Sequence, residues 1–289
     1  MLVIVVTYNG EKWIRNCLAS VAPEKGVDGV VVDNGSTDGT VETVRREFPH
    51  VAVVQTGKNI GFGRANNIGL RMALEKGYEY AYLLNQDAWI LPDDIKKLME
   101  AARRHPEYGI VSPIHVYSDM AELDDCFRKA VPKTLIDGSM LAANMEGAIY
   151  QTKKNIPAAH WLLNLNVVRE VGGFSPTFFH FGEDDNLTHR MLFRGYKCGI
   201  VPSVCAVHDR KSRVKDKDAI LKLTKGYWLL TLSDINISRS ARLRRMATSV
   251  FYTGLSHPGW TLKNALAIVG RYRTIRANRE MSKKESAFL

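Results

Sequence analysis

Tyr80-Ala-Tyr-Leu-Leu-Asn-Gln-Asp87 is an apolar run that ends in Asn-x-Asp. Such a run reads as a buried strand, and open α/β sheets place their ligands at the carboxyl ends of those strands. Working outward, the same pattern repeats. Leu2–Thr7 is an apolar strand, Glu11–Ser20 an amphipathic helix, Gly29–Asp33 a strand ending in an acid, and Val51–Gln55 a third strand. Thr37 or Asp38 can cap a helix through Phe48, and Phe62–Lys76 reads as the helix before the quoted run. Pro92 and Asp93 open a helix towards Arg104, and Ile110–Tyr117 is strand-like. Strands alternating with helices predict βαβ units and a mostly parallel central sheet flanked by helices.

Beyond residue 117 the pattern changes. Ser118–Pro157 mixes charges without a sustained period and is expected to be a β-hairpin or lid-like insertion. Asn164–Val171 and Asp185–Arg194 read as helices closed by glycines, with Lys197–Val201 and Val204–Val207 as short strands. After Asp209 the chain becomes helical and basic, with helices expected at Ala219–Ser233, Arg239–Thr253 and Trp260–Ala277 and a frayed end over Arg276–Leu289. The expected division is 1–210 as one domain, split into halves 1–117 and 118–210, followed by a basic helical extension over 211–289.

The chain of 289 residues can bury one large core or two modest ones, and its 45% hydrophobic and 24% charged residues suit a folded soluble protein. No run reaches the roughly 18 apolar residues of a spanning helix. The opening Met1-Leu-Val-Ile-Val-Val-Thr-Tyr8 lacks a basic region and a cleavage site, so it reads as a strand rather than a signal peptide. Cys17, Cys126, Cys198 and Cys205 show no C-x-x-C spacing; they fit reduced thiols in a cytoplasm, and a zinc site is not expected. The net charge of +10 is unevenly spread: residues 190–289 hold 21 Lys and Arg against 6 Asp and Glu, while residues 1–189 hold 19 against 24. The basic part is either a solvated helical face or a surface for nucleic acid or anionic lipid.

Chemistry concentrates in Phe181-Gly-Glu-Asp-Asp-Asn-Leu-Thr-His-Arg190. Glu183, Asp184 and Asp185 repel one another unless a cation or a proton shares their space. The quoted Asp87 is a second acid in a ligand-binding position. Two acidic sites suggest one that holds a cation and one that moves a proton.

Seven landmarks then fall in order over about 210 residues: Val5-Val-Thr-Tyr-Asn9, Val31-Val-Asp-Asn-Gly-Ser-Thr-Asp38, Asn59-Ile-Gly-Phe-Gly-Arg-Ala-Asn-Asn67, Leu83-Leu-Asn-Gln-Asp87, Val171-Gly-Gly-Phe174, Phe178-Phe-His-Phe-Gly-Glu-Asp184 and Val207-His208. Together they resemble family 2 glycosyltransferases of the GT-A fold, in particular the bacterial rhamnosyltransferase-like branch. Residues 210–289 carry no matching motif. The resemblance implies an inverting, metal-dependent hexosyltransferase that moves a sugar from dTDP-rhamnose or a UDP-sugar to a glycan or lipid-linked glycan in cell-surface polysaccharide synthesis. It places Thr7, Tyr8, Asn9, Asp33, Asn59, Gly61, Arg64, Asn66, Asn85 and Gln86 around the donor. Arg64 is equally readable as an exposed helix-start arginine, and Asn66 as packing or capping. Asp87, with Asn85 replacing the first acid of the family's D-x-D, and His208 are the implied ligands of Mn²⁺ or Mg²⁺. Asp184 is the implied general base, with Glu183 assisting and Asp185 and His180 on the acceptor side. Arg190 could pair with these acids. Trp161 is either a platform for an acceptor sugar or core.

The rival enzyme reading, a dinucleotide-binding dehydrogenase, lacks G-x-G-x-x-G in its first turn. A nucleic-acid-binding protein leaves Asn85–Asp87 and Glu183–Asp184 without a role, so no nucleic-acid partner is expected. An inactive nucleotide-sugar or nucleic-acid binding module on the same fold is the alternative that remains. The expected partners are donor, acceptor, an anionic membrane surface met by the C-terminal helices and, among the arrangements left open, a second copy of the chain. The expected location is the cytoplasm or the inner face of the cell membrane.

Overall fold

The computed structural model describes residues 1–21, 27–131, 148–152, 156–211 and 217–289. Much of the 118–157 insertion, 132–147 and 153–155, therefore lies outside the described residues; the part described contributes a short helix and a strand rather than a hairpin alone.

Four strands build the parallel half of the sheet: β1 (Leu2–Thr7), β2 (Asp28–Asp33), β3 (Ala52–Gln55) and β4 (Tyr80–Asn85). Helices α1 (Glu11–Ala19), α2 (Thr40–Glu47) and α3 (Phe62–Glu75) connect them. The sheet continues through β5 (Ala88–Ile90), helix α4 (Pro92–Arg104), β6 (Tyr108–Val116), helix α5 (Asp125–Ala130), β7 (Tyr150–Thr152), β8 (His160–Asn164), α6 (Leu165–Val171), α7 (Glu183–Phe193) and β9 (Lys197–His208). The spatial order is β3-β2-β1-β4-β8-β6-β9-β5, with β7 also on β9. β1 pairs in parallel with β2 and β4, whereas β8 runs antiparallel between β4 and β6, so the sheet is mixed beyond β4. The two short strands expected over 197–207 are one strand whose pairing with β6 shifts between Pro113 and Ile114.

Alternation along the strands explains the layers. Val3, Val5, Val31, Tyr82 and Leu84 point to one face, where Ile14, Cys17, Leu18, Leu98 and Ala101 cover them. Leu2, Ile4, Val30, Val32, Ala81 and Leu83 point to the other, under Ala65, Leu70, Val167, Leu187 and Met191. Both faces being covered, the central strands are apolar throughout.

Helices α8 (Lys217–Ser233), α9 (Arg239–Ser256), α10 (Pro258–Gly270) and α11 (Tyr272–Met281) follow. The single helix expected over 260–277 is broken at Arg271 into α10 and α11. Trp228, Leu229, Leu232, Ile268 and Ile275 form a core of their own that includes Phe178 from the sheet-bearing part. The expected frayed end is instead ordered: Gly173 N donates to Ala287 O, Asn67 Nδ2 to Phe288 O, and Ala287 is buried.

Candidate active site

Register brings the landmarks together. Thr7 pairs with Asp33 and Val6 with Asn85, so the carboxyl ends of β1, β2 and β4 meet at one edge. The chain then turns into β5, whose Ala88 pairs with His208 of β9, and Asp209 N donates to Asp87 O at 2.8 Å. Asp87 and His208, distant in sequence, become neighbours through that one antiparallel pairing: Asp87 Oδ1 lies 3.5 Å from His208 Nε2. Both side chains are buried.

A cavity of about 400 Å³ opens at this edge, lined among others by Tyr8, Asn34, Asn59, Gln86, Asp87 and His180. A second, of about 490 Å³, is lined by Glu183, Asp184, Asp185, His208 and Arg210. Phe62, Asn85 and His180 line both, so the two are adjoining parts of one cleft. Each is of a size that takes a small ligand. Gly61 sits at the seam with φ 92°, and a Cβ there would meet Phe179 O at 2.5 Å. Only glycine allows that backbone approach in that conformation.

The acids stand at the start of α7. Phe181 (φ 71°) and Gly182 (φ 95°) form a left-handed turn that hands the chain into the helix at Glu183. Glu183 Oε2 is buried without a hydrogen-bond partner, and His180 Nδ1 is 3.8 Å from Glu183 Oε1. Burial first, and then the Asp184 charge, push the Glu183 carboxyl up to about 8 and the Asp185 carboxyl up to about 7. Folded-state values raised above the free ones mean that these groups hold protons which the unfolded chain has released. Their contribution to stability is therefore largest near pH 4 and declines as pH rises towards about 8. Glu183→Gln removes the Glu183 share of that decline. Its melting temperature relative to the parent should climb by a few degrees, in order of magnitude, between about pH 5 and pH 9; a constant difference would contradict the assignment.

Several of the residues expected around the donor have other duties. The Asp33 carboxylate accepts from Thr7 Oγ1 and from the Gly35 and Ser36 amides, so Asp33 and Thr7 shape the turn that presents Asn34. Asn9 Oδ1 accepts from Thr37 N. Tyr8 and Gln86 exchange hydrogen bonds that fasten β1 to the end of β4, leaving the Tyr8 ring half exposed. Asn34, missed in the sequence, lines the cleft and holds Asn59 and the Ile60 amide.

Four expectations are corrected. Arg64 donates to Pro176 O and lines a separate hollow with Phe288, turned away from the cleft. Asn66 is buried and bonds back to Phe62 O within α3. Trp161 is fully buried, donates to Ile156 O and stacks on Phe174 at 6.3 Å, so it is core and no sugar platform. Arg190 donates to Val171 O and Gly173 O, satisfying the end of α6 rather than pairing with the acids.

Asp124 and Arg210 complete the site and were not foreseen. Asp124 Oδ1 caps α5 by accepting from the Cys126 and Phe127 amides, and both its oxygens take Arg210. Asp124 Oδ2 also lies 3.6 Å from His208 Nδ1. An acid just before Cys126-Phe127 was a readable cap signal; its meeting with residue 210 was not.

For a divalent cation the donor set fits. His208 is buried with neither ring nitrogen hydrogen-bonded, an arrangement that is costly unless a partner arrives. Among the described residues no cluster of three His, Cys, Asp or Glu donors exists, so Asp87 and His208 are the pair at this edge that could hold a cation. Asp124→Asn keeps the helix cap but weakens the charge beside His208. The expected result is a 10- to 100-fold loss of Mn²⁺ affinity in the presence of a nucleoside diphosphate, read by calorimetry; unchanged affinity would remove Asp124 from the site.

The fold is that of the GT-A glycosyltransferases. A mannosyltransferase from Pyrobaculum calidifontis, solved in complex with GDP-Man and Mn²⁺, superposes with a TM-score of 0.59 at 20% identity, over 93% of this chain and 74% of that one. TarS 1-349 of S. aureus in complex with UDP gives 0.54 at 16% identity, over 97% and 80%. Residues 2–131 match the model of glycosyl transferase family 2. The N-acetylglucosaminyl-diphospho-decaprenol L-rhamnosyltransferase of Mycobacterium tuberculosis is 28% identical over 233 residues, 72% of this chain and 75% of its own. The dTDP-rhamnosyl transferase RfbF of Shigella flexneri is 38% identical over 95 residues, 33% of this chain and 32% of its own. Over residues 2–131 the chain is similar to glycosyl transferase family 2, and its similarity to a rhamnosyltransferase extends over 72% of its length.

Proposed function

We propose that this protein is an inverting glycosyltransferase that transfers a sugar, rhamnose from a dTDP donor before any UDP-linked sugar, to a lipid-linked glycan. The supporting observation is the continuity of the cleft: the nucleotide edge and the acidic turn share Phe62, Asn85 and His180. Tyr8, Asn34 and Asn59 would receive the nucleotide at the β1, β2 edge, and the diphosphate would lie over Asn85 and Asp87. Asp87 and His208 would hold Mn²⁺ or Mg²⁺, with the imidazole favouring Mn²⁺. When bound, the cation neutralises charge on the departing diphosphate.

On the acidic side an acceptor hydroxyl would sit between Asp184 and the anomeric carbon. Its oxygen forms the new glycosidic bond as the bond to the diphosphate oxygen breaks, and its proton passes to Asp184. Attack from the face opposite the leaving group inverts the anomeric configuration. Glu183, protonated near neutrality, would donate to a second acceptor hydroxyl from its unpartnered Oε2. The test is a thermal-shift screen of nucleoside diphosphates and nucleotide sugars with and without Mn²⁺, followed by transfer assays with the stabilising donor. Stabilisation by a dTDP ligand that requires the cation is expected; the absence of any shift across the panel would sink the reading.

A further inference from the structure

Helices α9 and α10 carry large apolar side chains on their outer faces as well as on their inner ones. On α10 the side chains facing the protein include Thr261 and Asn264, both buried, while Leu262, Leu266 and Val269 are more than 60% exposed. On α9 no residue is buried, and Leu243, Phe251 and Leu255 lie along one exposed ridge at multiples of four residues. Twelve of the seventeen large apolar side chains exposed among the described residues belong to helices α8 to α11. Exposed apolar side chains in this number mark a surface that something other than water covers.

The charges say what covers it. From Ile235 to Arg279 the sequence holds nine Arg and Lys and no Asp or Glu. Arg244, Arg245 and Lys263 stand exposed beside the apolar ridge. Not all the arginines point outward: Arg242 donates to Asp234 O and Ile237 O, and Arg279 to Leu232 O, so these two hold the helices together. Met246 and Val250 likewise pack inward. Pairing with a second copy would set cations against cations. Nucleic acid would satisfy the cations but leave the leucines in water. An anionic bilayer satisfies both.

We infer that the exposed face of α9 and α10 docks the protein on an anionic lipid bilayer. No helix of the described residues is long and apolar enough to cross a membrane, so the helices lie in the interface. Helix α8 links that face to the cleft. Its Trp228 donates to Ser249 Oγ of α9 at 2.8 Å, its Leu223 lines the acidic part of the cleft, and its Gly226 packs on Phe181. Delivery of a lipid-linked acceptor would be the purpose, and to that extent the inference rests on the proposed function; bilayer binding itself is read with neither donor nor acceptor present.

The experiment is flotation of the full chain with vesicles of phosphatidylcholine containing about a third phosphatidylglycerol, against phosphatidylcholine alone. Binding to the anionic vesicles at low salt is expected, and strong loss at high salt. Arg244→Glu with Arg245→Glu should lower partitioning by more than tenfold, at roughly fivefold per charge removed. Leu262→Ser with Leu266→Ser should also lower it more than tenfold while retaining the salt dependence. These side chains are exposed, so circular dichroism should find the variants folded. No binding to anionic vesicles at low salt would overturn the inference. So would a stable dimer that the leucine variants dissociate, or equal binding to neutral vesicles.

Discussion

Asp184→Asn should lower sugar transfer by about 10²- to 10⁴-fold while leaving donor affinity nearly unchanged. Asn has the size of Asp and can keep a hydrogen bond to the acceptor, but it cannot take the proton. The side chain starts a helix rather than filling core, and its Oδ1 accepts from the Asp185 amide in the next residue. Loss of fold is therefore not the explanation a strong effect would have. Removing its charge should also relieve Glu183 and Asp185, whose raised values both include repulsion from Asp184. A lowered pH midpoint for those two groups, followed by NMR of the carboxyls, would accompany the lost rate. Transfer at the parent rate would assign the proton to another group.

The second large effect belongs to the other end of the cleft. Asp87→Asn and His208→Ala should each lower transfer by about 10²- to 10³-fold, with weaker binding of the Mn²⁺ complex of the nucleotide. In the apo protein the two variants differ. His208→Ala leaves a cavity and removes the ring that stands between the buried Asp87 and Asp124 carboxylates, so it should destabilise the protein, whereas Asp87→Asn keeps the backbone bond from Asp209 N and lowers the buried charge. A thermal-shift comparison with and without Mn²⁺ and nucleotide separates the two contributions. Full activity of His208→Ala in the presence of chelator would exclude the assigned ligand role.

The parallel half of the fold was legible because β1, β2 and β4 are apolar on both faces and end in the polar residues that meet at the cleft. What β8 does was not legible. A five-residue apolar strand carries no sign of direction, and its insertion between β4 and β6 is what buries Trp161 on all sides. The same limit hid Asp124 and Arg210, whose meeting depends on where β6 and β9 end. The motifs point to Asp87 and His208 separately, and the pairing of Ala88 with His208 supplies the physical reason they adjoin. The ordered tail was missed for a different cause. Its polar residues suggested fraying, but Ala287, Phe288 and Leu289 close over Gly172 and Gly173, where any side chain would collide. Arg64 and Asn66 failed because a motif position does not fix which way a helical side chain points.

Calorimetry of dTDP with Mn²⁺ against three proteins, the parent, Asp184→Asn and His208→Ala, addresses the division of labour across the cleft most directly. Parent-like affinity is expected for Asp184→Asn and at least tenfold weaker, less cation-dependent binding for His208→Ala, with sugar transfer lost in both. Equal loss of nucleotide binding in both variants, or in neither, would contradict it.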